Sequence, residues 1–305
     1  MRWLGPASVR NCVSKIAVKS EFQRVSDEQI QLVPLYIKPS SGWVRLQLGE
    51  LWEYRELLYF LAWRDLKVRY KQTTLGIVWV ILQPLLMTLV FTIAFGRFGG
   101  VPAETRDTPY PVFAFCGLLP WQFFAYVLNN SGNSLVASER LITKIYFPRL
   151  VIPMAGVLSG LVDFVITFVI LLVLMVTYGI LPNETIWLFP AFFALAVACA
   201  VGMGLWLAAL NIEYRDVRHT IPFLIQLWFF VSPVAYPLRV VPEQWRWLYG
   251  LNPMVGVIEG FRWTLLGQGD DVGLRFVFPM LVGVIVLISG LYYFRRMEKD
   301  FADLV

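Results

Sequence analysis

Apolar runs long enough to cross a lipid bilayer recur six times in this chain, and that recurrence constrains the fold more than any other feature. They are Thr74 to Phe95, Pro111 to Leu128, Leu150 to Leu181, Ile186 to Leu210, Ile221 to Leu238 and Leu274 to Phe294. At a helical rise of about 1.5 Å per residue, some 20 apolar residues cover the hydrocarbon core. Of the 305 residues 58% are hydrophobic and only 15% charged, against about a quarter charged in soluble domains. There is too little polar surface to coat a globule in water, so the expectation is an all-α integral membrane domain of six transmembrane helices over 73–294.

The third run is too long for one upright crossing. It must tilt, bend near Gly156 or Gly160, or project beyond the hydrocarbon. Placing the amino terminus inside puts 20 of the 26 Lys and Arg residues in inner segments. Arg97, Arg106, Arg239, Arg246, Arg262 and Arg275 fall outside. Both termini are therefore expected in the cytoplasm. No apolar core behind a basic start precedes residue 45, so no cleavable signal peptide is expected.

Three segments lie outside this pattern. Residues 1–49 mix charged and polar residues with Pro34 and Pro39 and read as a cytoplasmic tail, and 295–305 form a second one. Over 50–72, Glu53, Glu56, Arg64, Lys67 and Lys71 share one helical face while Leu51, Tyr54, Leu58 and Leu61 share another. Trp52 and Trp63 suit a headgroup layer, which predicts an amphipathic interface helix. Between the fifth and sixth runs, 239–273 is too apolar for a free loop and too broken for a crossing. Val241-Pro242 opens one short helix, Gly250-Leu251-Asn252-Pro253 breaks it, and a second runs from Met254 to about Leu266. The pattern fits a re-entrant outer hairpin beside a pathway, since broken segments at membrane depth need protein or a cavity around them.

Most catalytic chemistries lack their residues here. A phosphate-cradling loop needs Gly-Lys followed by Ser or Thr, and no Gly-Lys dipeptide exists. Gly202 and Gly204 begin a dinucleotide fingerprint, but Leu207 occupies the third glycine position. Cys12, Cys116, Cys199 and the single His219 form no metal-ligand spacing, so no metal, zinc or haem site is expected. Asp270-Asp271 reads as a solvated turn, not a magnesium site. The basic residues form no stripe with interleaved aromatics, which argues against nucleic acid. Asp163 is the clear ionisable residue within a run and is read as a structural or pathway hydrogen-bonding group, with ion coupling as the rival. Glu259 and Arg262, three apart, are expected to pair. Phe91, Phe95, Trp121, Phe124, Trp228, Phe229 and Tyr236 lie toward the outer ends of their runs. They form either an interfacial belt with helix packing or a ring that stacks on sugar faces.

Several blocks are familiar together. Tyr54-Arg55-Glu56-Leu57-Leu58, Trp63-Arg64-Asp65-Leu66-Lys67-Val68-Arg69-Tyr70-Lys71-Gln72-Thr73, Leu75-Gly76 and Leu82-Gln83-Pro84 lead the series. Phe147-Pro148-Arg149, Asn211-Ile212-Glu213-Tyr214-Arg215-Asp216-Val217, Ser232-Pro233-Val234 and Leu251-Asn252-Pro253 with Glu259 to Arg262 continue it. From about Trp43 to Gln268 the chain resembles the permeases of ABC-2 type polysaccharide exporters, which move O-antigen, capsule and teichoic acid chains. The last run matches only as an apolar helix, and residues 1–41 not at all.

The resemblance implies an ABC-2 (type V) exporter fold in the bacterial cytoplasmic (inner) membrane. It implies a homodimer served by two copies of a separate ABC ATPase, which binds the ATP and magnesium, so that this chain carries no cofactor. The cargo implied is a polysaccharide on undecaprenyl pyrophosphate, with O-antigen of lipopolysaccharide foremost. Residues 134–149 would be the coupling loop, with Glu139, Arg140, Lys144, Tyr146 and Arg149 as ATPase-coupling residues. Asn252, Pro253, Glu259 and Arg262 would belong to the outer gate. Arg64, Lys67, Arg69 and Lys71 are candidates for holding the lipid pyrophosphate, or simple positive-inside anchors. An ABC-2 drug or small-lipid exporter and a proton-coupled lipid flippase remain the alternatives.

Overall fold

The computed structural model describes residues 49–71, 76–98, 108–144, 147–214, 216–268, 274–299 and 301, all within one compact unit, Val44–Val305. The expected amino-terminal tail, up to residue 48, lies outside them, as does Gln72. The described residues are helical, with no strand among them.

Chain order gives α1 (Gly49–Glu53), α2 (Arg55–Lys71), α3 (Gly76–Phe91, continued by a π-helical Thr92–Phe98), α4 (Tyr110–Ala137) and α5 (Glu139–Lys144). Then follow α6 (Val151–Thr177), a 3₁₀ turn (Glu184–Leu188) running into α7 (Phe189–Glu213), and α8 (Val217–Val231). After a second 3₁₀ turn (Leu238–Val240) come α9 (Glu243–Gly250), α10 (Pro253–Leu266) and α11 (Leu274–Met297). Among the described residues, five helical stretches are long and apolar enough to cross a membrane: Gly76–Gly96, Tyr110–Ala137, Val151–Thr177, Glu184–Glu213 and Phe276–Met297.

Two differences from the sequence reading have clear causes. The second run does not stop at Leu128, because α4 continues to Ala137 through a polar stretch and takes in Ser134 to Ala137 of the expected coupling loop. That stretch stays helical because its side chains find partners nearby. Asn133 donates to the Asn129 carbonyl at 2.8 Å, Ser134 to the Ser131 carbonyl at 2.7 Å, and Asn211 of α7 to the Gly132 carbonyl at 2.8 Å. The fifth run, expected over Ile221 to Leu238, is instead the 15-residue α8, shorter than the other five. Its helix stops where Ser232 turns extended at φ −103°, ψ 140°. Ser232 precedes Pro233, whose ring disfavours helical geometry in the residue before it.

α4 is the buried centre, packed by α3, α6, α7, α8 and α10, while α7 also carries α11 along its length. The α7–α11 contact is close enough to require glycine. A Cβ on Gly290 would meet the Gly202 carbonyl oxygen at 2.2 Å, and one on Gly202 would meet the Val286 carbonyl oxygen at 2.6 Å. Small residues let two membrane helices approach backbone to backbone. A second aromatic cluster, not anticipated from the sequence, joins α6 to α7 and α10: Phe164 stacks on Phe193 at 4.3 Å, and Phe189 lies 4.8 Å from Phe261.

Candidate functional site

The sequence-derived candidates gather at two ends of the bundle, one carrying α2 and α5, the other carrying α9 and the start of α10.

At the α5 end, α2 packs along α6 with Leu61 and Ala62 buried, while Trp52, Tyr59, Phe60 and Trp63 are exposed. Leu51, Tyr54 and Leu58 turn toward the core, and Glu53, Glu56, Lys67 and Lys71 face outward. The Ser159 hydroxyl donates to the Ala62 carbonyl at 3.4 Å. One turn along α6, Asp163 receives the Arg69 guanidinium and the Tyr70 hydroxyl, and Arg69 also lies 4.5 Å from the Tyr126 ring centroid. Burial and then the Asp163 carboxylate push the Tyr70 phenol above its ordinary pKa, which keeps it protonated as a donor. So Asp163 does not stand alone in its helix, and Arg69 is already occupied. Arg64 pairs with Asp65 at 2.9 Å on the exposed face. The cations Arg64, Lys67 and Lys71 point away from the core.

α5 is a six-residue helix set off from α4 by Ser138. Ile142 is buried beneath it, while Glu139, Arg140, Thr143 and Lys144 are exposed. Tyr146 lies outside the described residues. Arg149 turns inward: its backbone N–H donates to Glu298 Oε1 at 3.1 Å, and its guanidinium donates to the Glu298 carbonyl. Glu298 also accepts from Arg295 at 2.7 Å, and Arg295 reaches Glu50 at 3.1 Å. Within this set Arg295 and Glu298 stand three apart, a spacing visible in sequence, but nothing local could have found Arg149 or Glu50 as their partners.

At the opposite end, Arg262 is 1% exposed and organises the turn after α8. Its Nη1 donates to the Pro233 carbonyl at 2.8 Å, the Tyr236 carbonyl at 3.3 Å and Glu259 Oε1 at 3.0 Å, and its Nη2 to the Val234 carbonyl at 2.6 Å. Its guanidinium carbon lies 3.7 Å from the Phe113 ring centroid, a cation–π contact with α4. Gly117 makes the room, since a Cβ there would meet Arg262 Nη2 at 2.6 Å. Asn252 caps α10 by accepting from Met254 N–H at 3.1 Å, with Pro253 in the first turn, and it donates to Ser232 Oγ at 2.9 Å. The Glu259–Arg262 pair was legible three residues apart. The carbonyl cage around Arg262 was not.

Six of the seven candidate aromatics form one continuous cluster across α3, α4 and α8. Phe91 stacks on Phe229 at 5.7 Å and neighbours Phe95 at 5.9 Å. Trp121 meets Phe229 at 5.5 Å and Phe124 at 5.6 Å, and Phe124 meets Trp228 at 5.2 Å. Phe91, Trp121 and Phe124 are buried within the chain, whereas Phe95 is exposed. Tyr236 stands apart, its hydroxyl bonded to the Phe230 carbonyl at 3.0 Å and 3.1 Å from the Tyr249 hydroxyl. Among the described residues no three His, Cys, Asp or Glu side chains come together as metal ligands.

Comparison with known proteins adds to this geometry. Over 256 residues the chain is 31% identical to the O-antigen export system permease protein RfbA of Myxococcus xanthus, covering 83% of this chain and 97% of that protein. It is 29% identical over 264 residues to the permease of the same name from Klebsiella pneumoniae, covering 86% and 98%. It is 25% identical over 239 residues to the polysialic acid transport protein KpsM of Escherichia coli, covering 77% and 91%. The family described as ABC-2 type transporter matches residues 56–266, a span that begins in α2 and ends with α10, and the chain belongs to that family.

Proposed function

We propose that this multi-pass membrane protein is the conduit of an ATP-driven exporter that carries a lipid-linked polysaccharide, O-antigen foremost, across the bacterial inner membrane. The observation that carries the reading is the near end-to-end likeness to O-antigen export permeases, 97% and 98% of whose length is covered. Polysialic acid transport in a further relative keeps the cargo class a long glycan.

In this reading two copies of the chain sit above two copies of a separate ATPase that binds ATP and magnesium. The exposed α5, with Glu139, Arg140 and Lys144 outward over a buried Ile142, suits a surface that docks in the ATPase. α8 with the buried turn at Ser232–Ala235 would complete a sixth crossing, which leaves α9 and α10 as the outer gate and both termini in the cytoplasm. The apolar exposed faces of α3 (Ile77, Trp79, Leu86) and α8 (Phe223, Leu227, Phe230) suit contact with a second copy and with lipid. The glycan would pass at that dimer interface, with the exposed Phe95 on its side of the aromatic cluster.

Asp163 lies 12 residues into α6, about 18 Å from its first turn, beside the cationic end of α2. A helix as charged as α2 belongs at the headgroup layer, so Asp163 sits at the interface and α6 extends below it toward the cytoplasm. That pairing favours a structural role over proton coupling. Lys67 and Lys71, with Arg64 shared with Asp65 on the same exposed face, are then the candidates to meet a lipid pyrophosphate at the inner leaflet.

Deleting the gene tests the reading. Surface polysaccharide is expected to disappear while its lipid-linked form accumulates inside the cell, and complementation is expected to reverse both. Unaltered surface polysaccharide would refute the cargo.

A further inference from the structure

We infer that Glu298 is a positioning residue for energy coupling, a clasp that ties the exit of the α5 segment to α11 and, through Arg295, to α1. The inference rests on the reading that α5 receives the push from an ATPase. It adds where that push goes.

Both carboxylate oxygens of Glu298 are committed, to different elements. Oε1 accepts the Arg149 backbone N–H, just ahead of α6, and Oε2 accepts Arg295 Nη1 at 2.7 Å within α11. The Glu298 carbonyl accepts the Arg149 guanidinium. Arg295 then spends its second terminal nitrogen on Glu50 of α1 at 3.1 Å. Arg295 is 7% exposed and Glu298 18%, so these contacts escape most of the screening that makes surface ion pairs weak. Beyond the end of α11, Phe301 is fully buried, edge-on to Phe294 at 5.3 Å, with the Arg149 guanidinium 5.8 Å from its ring centroid.

A six-residue helix on a connecting loop transmits force only if both of its ends are held. The α4 side is held at the one-residue turn Ser138, whose N–H donates to the Leu135 carbonyl and whose carbonyl accepts from Leu141 and Ile142. On the α6 side Phe147 is buried, and Glu298 holds the next-but-one residue through its main chain. Displacing α5 must then also displace α11 and the start of the interface segment. Without the clasp the same displacement is absorbed by the loop.

Glu298→Ala and Arg149→Ala in the complete permease–ATPase complex test this. Export is read as polysaccharide reaching the surface of complemented deletion cells, and ATP hydrolysis as the rate of the purified complex. Each variant is expected to co-purify the ATPase normally and hydrolyse ATP within about twofold of wild type, while polysaccharide exported per ATP falls at least fivefold. Because Glu298→Ala leaves the Arg149 guanidinium bond to the main-chain carbonyl, and Arg149→Ala leaves the main-chain N–H bond to be made with Oε1, each single variant removes part of the clasp and the double variant is expected to fall below either. Arg149→Lys is expected to recover part of the loss. Unchanged export per ATP, or a proportional fall of assembly, hydrolysis and export, would overturn the clasp. A tagged permease that brings down no ATPase would instead refute the underlying functional reading.

Discussion

The two ends of this molecule both rest on buried or half-buried arginines, yet they use them in opposite ways. At the α9 end Arg262 closes one hairpin, since its carbonyl partners Pro233, Val234 and Tyr236 lie within 29 residues of it. At the α5 end the pairs Arg69–Asp163, Arg149–Glu298 and Arg295–Glu50 join residues 94, 149 and 245 positions apart. The first arrangement gathers the carbonyls of one turn around a single cation seated against Phe113 of α4. The second ties the α1–α2 segment, the entry to α6 and the last helix to one another.

The contrast can be broken most forcefully at Arg262. Arg262→Met strands three carbonyls and Glu259 in a dry site and is expected to cost about 3–5 kcal/mol, seen as lost expression or a large fall in detergent melting temperature. Gly117→Ala pushes a methyl group against the same guanidinium and is expected to cost about 1–3 kcal/mol in the same assay. At the other end Asp163→Asn weakens a pair whose arginine is 40% exposed, so the loss is expected to stay near 1 kcal/mol, with ATP-driven export largely retained. Smallest in stability is Glu139→Arg, on the exposed face of α5, expected to shift folding by less than about 0.5 kcal/mol. It should nevertheless depress ATPase stimulation by the permease, and normal stimulation would remove α5 from the coupling role. If Asp163→Asn proved as disruptive as Arg262→Met, the distinction between a dry plug and an interfacial tie would fail.

The membrane helices were legible because lipid selects for long apolar runs, and α3, α4, α6, α7 and α11 all contain one. What escaped the sequence was set by contacts between distant elements. The polar stretch Asn129–Ser134 looked like the end of a span, yet back-bonding and Asn211 keep it helical. Asp163 looked isolated until the register of α2 on α6 brought Arg69 and Tyr70 to it. Pro233 was visible as a helix breaker, but not that Arg262 would gather the carbonyls exposed by the break. In the aromatic cluster, pattern identified the members, while only packing separated the buried Trp121 and Phe124 from the exposed Phe95.

The account's central claim is that this chain moves a cargo on energy supplied by another subunit. Its most direct test is to purify the tagged chain from its own cells, measure ATP hydrolysis with the co-purifying subunit present, and repeat the assay after that subunit is stripped away. The account predicts hydrolysis in the complex and none in the permease alone. Hydrolysis that survives in the stripped permease would contradict it.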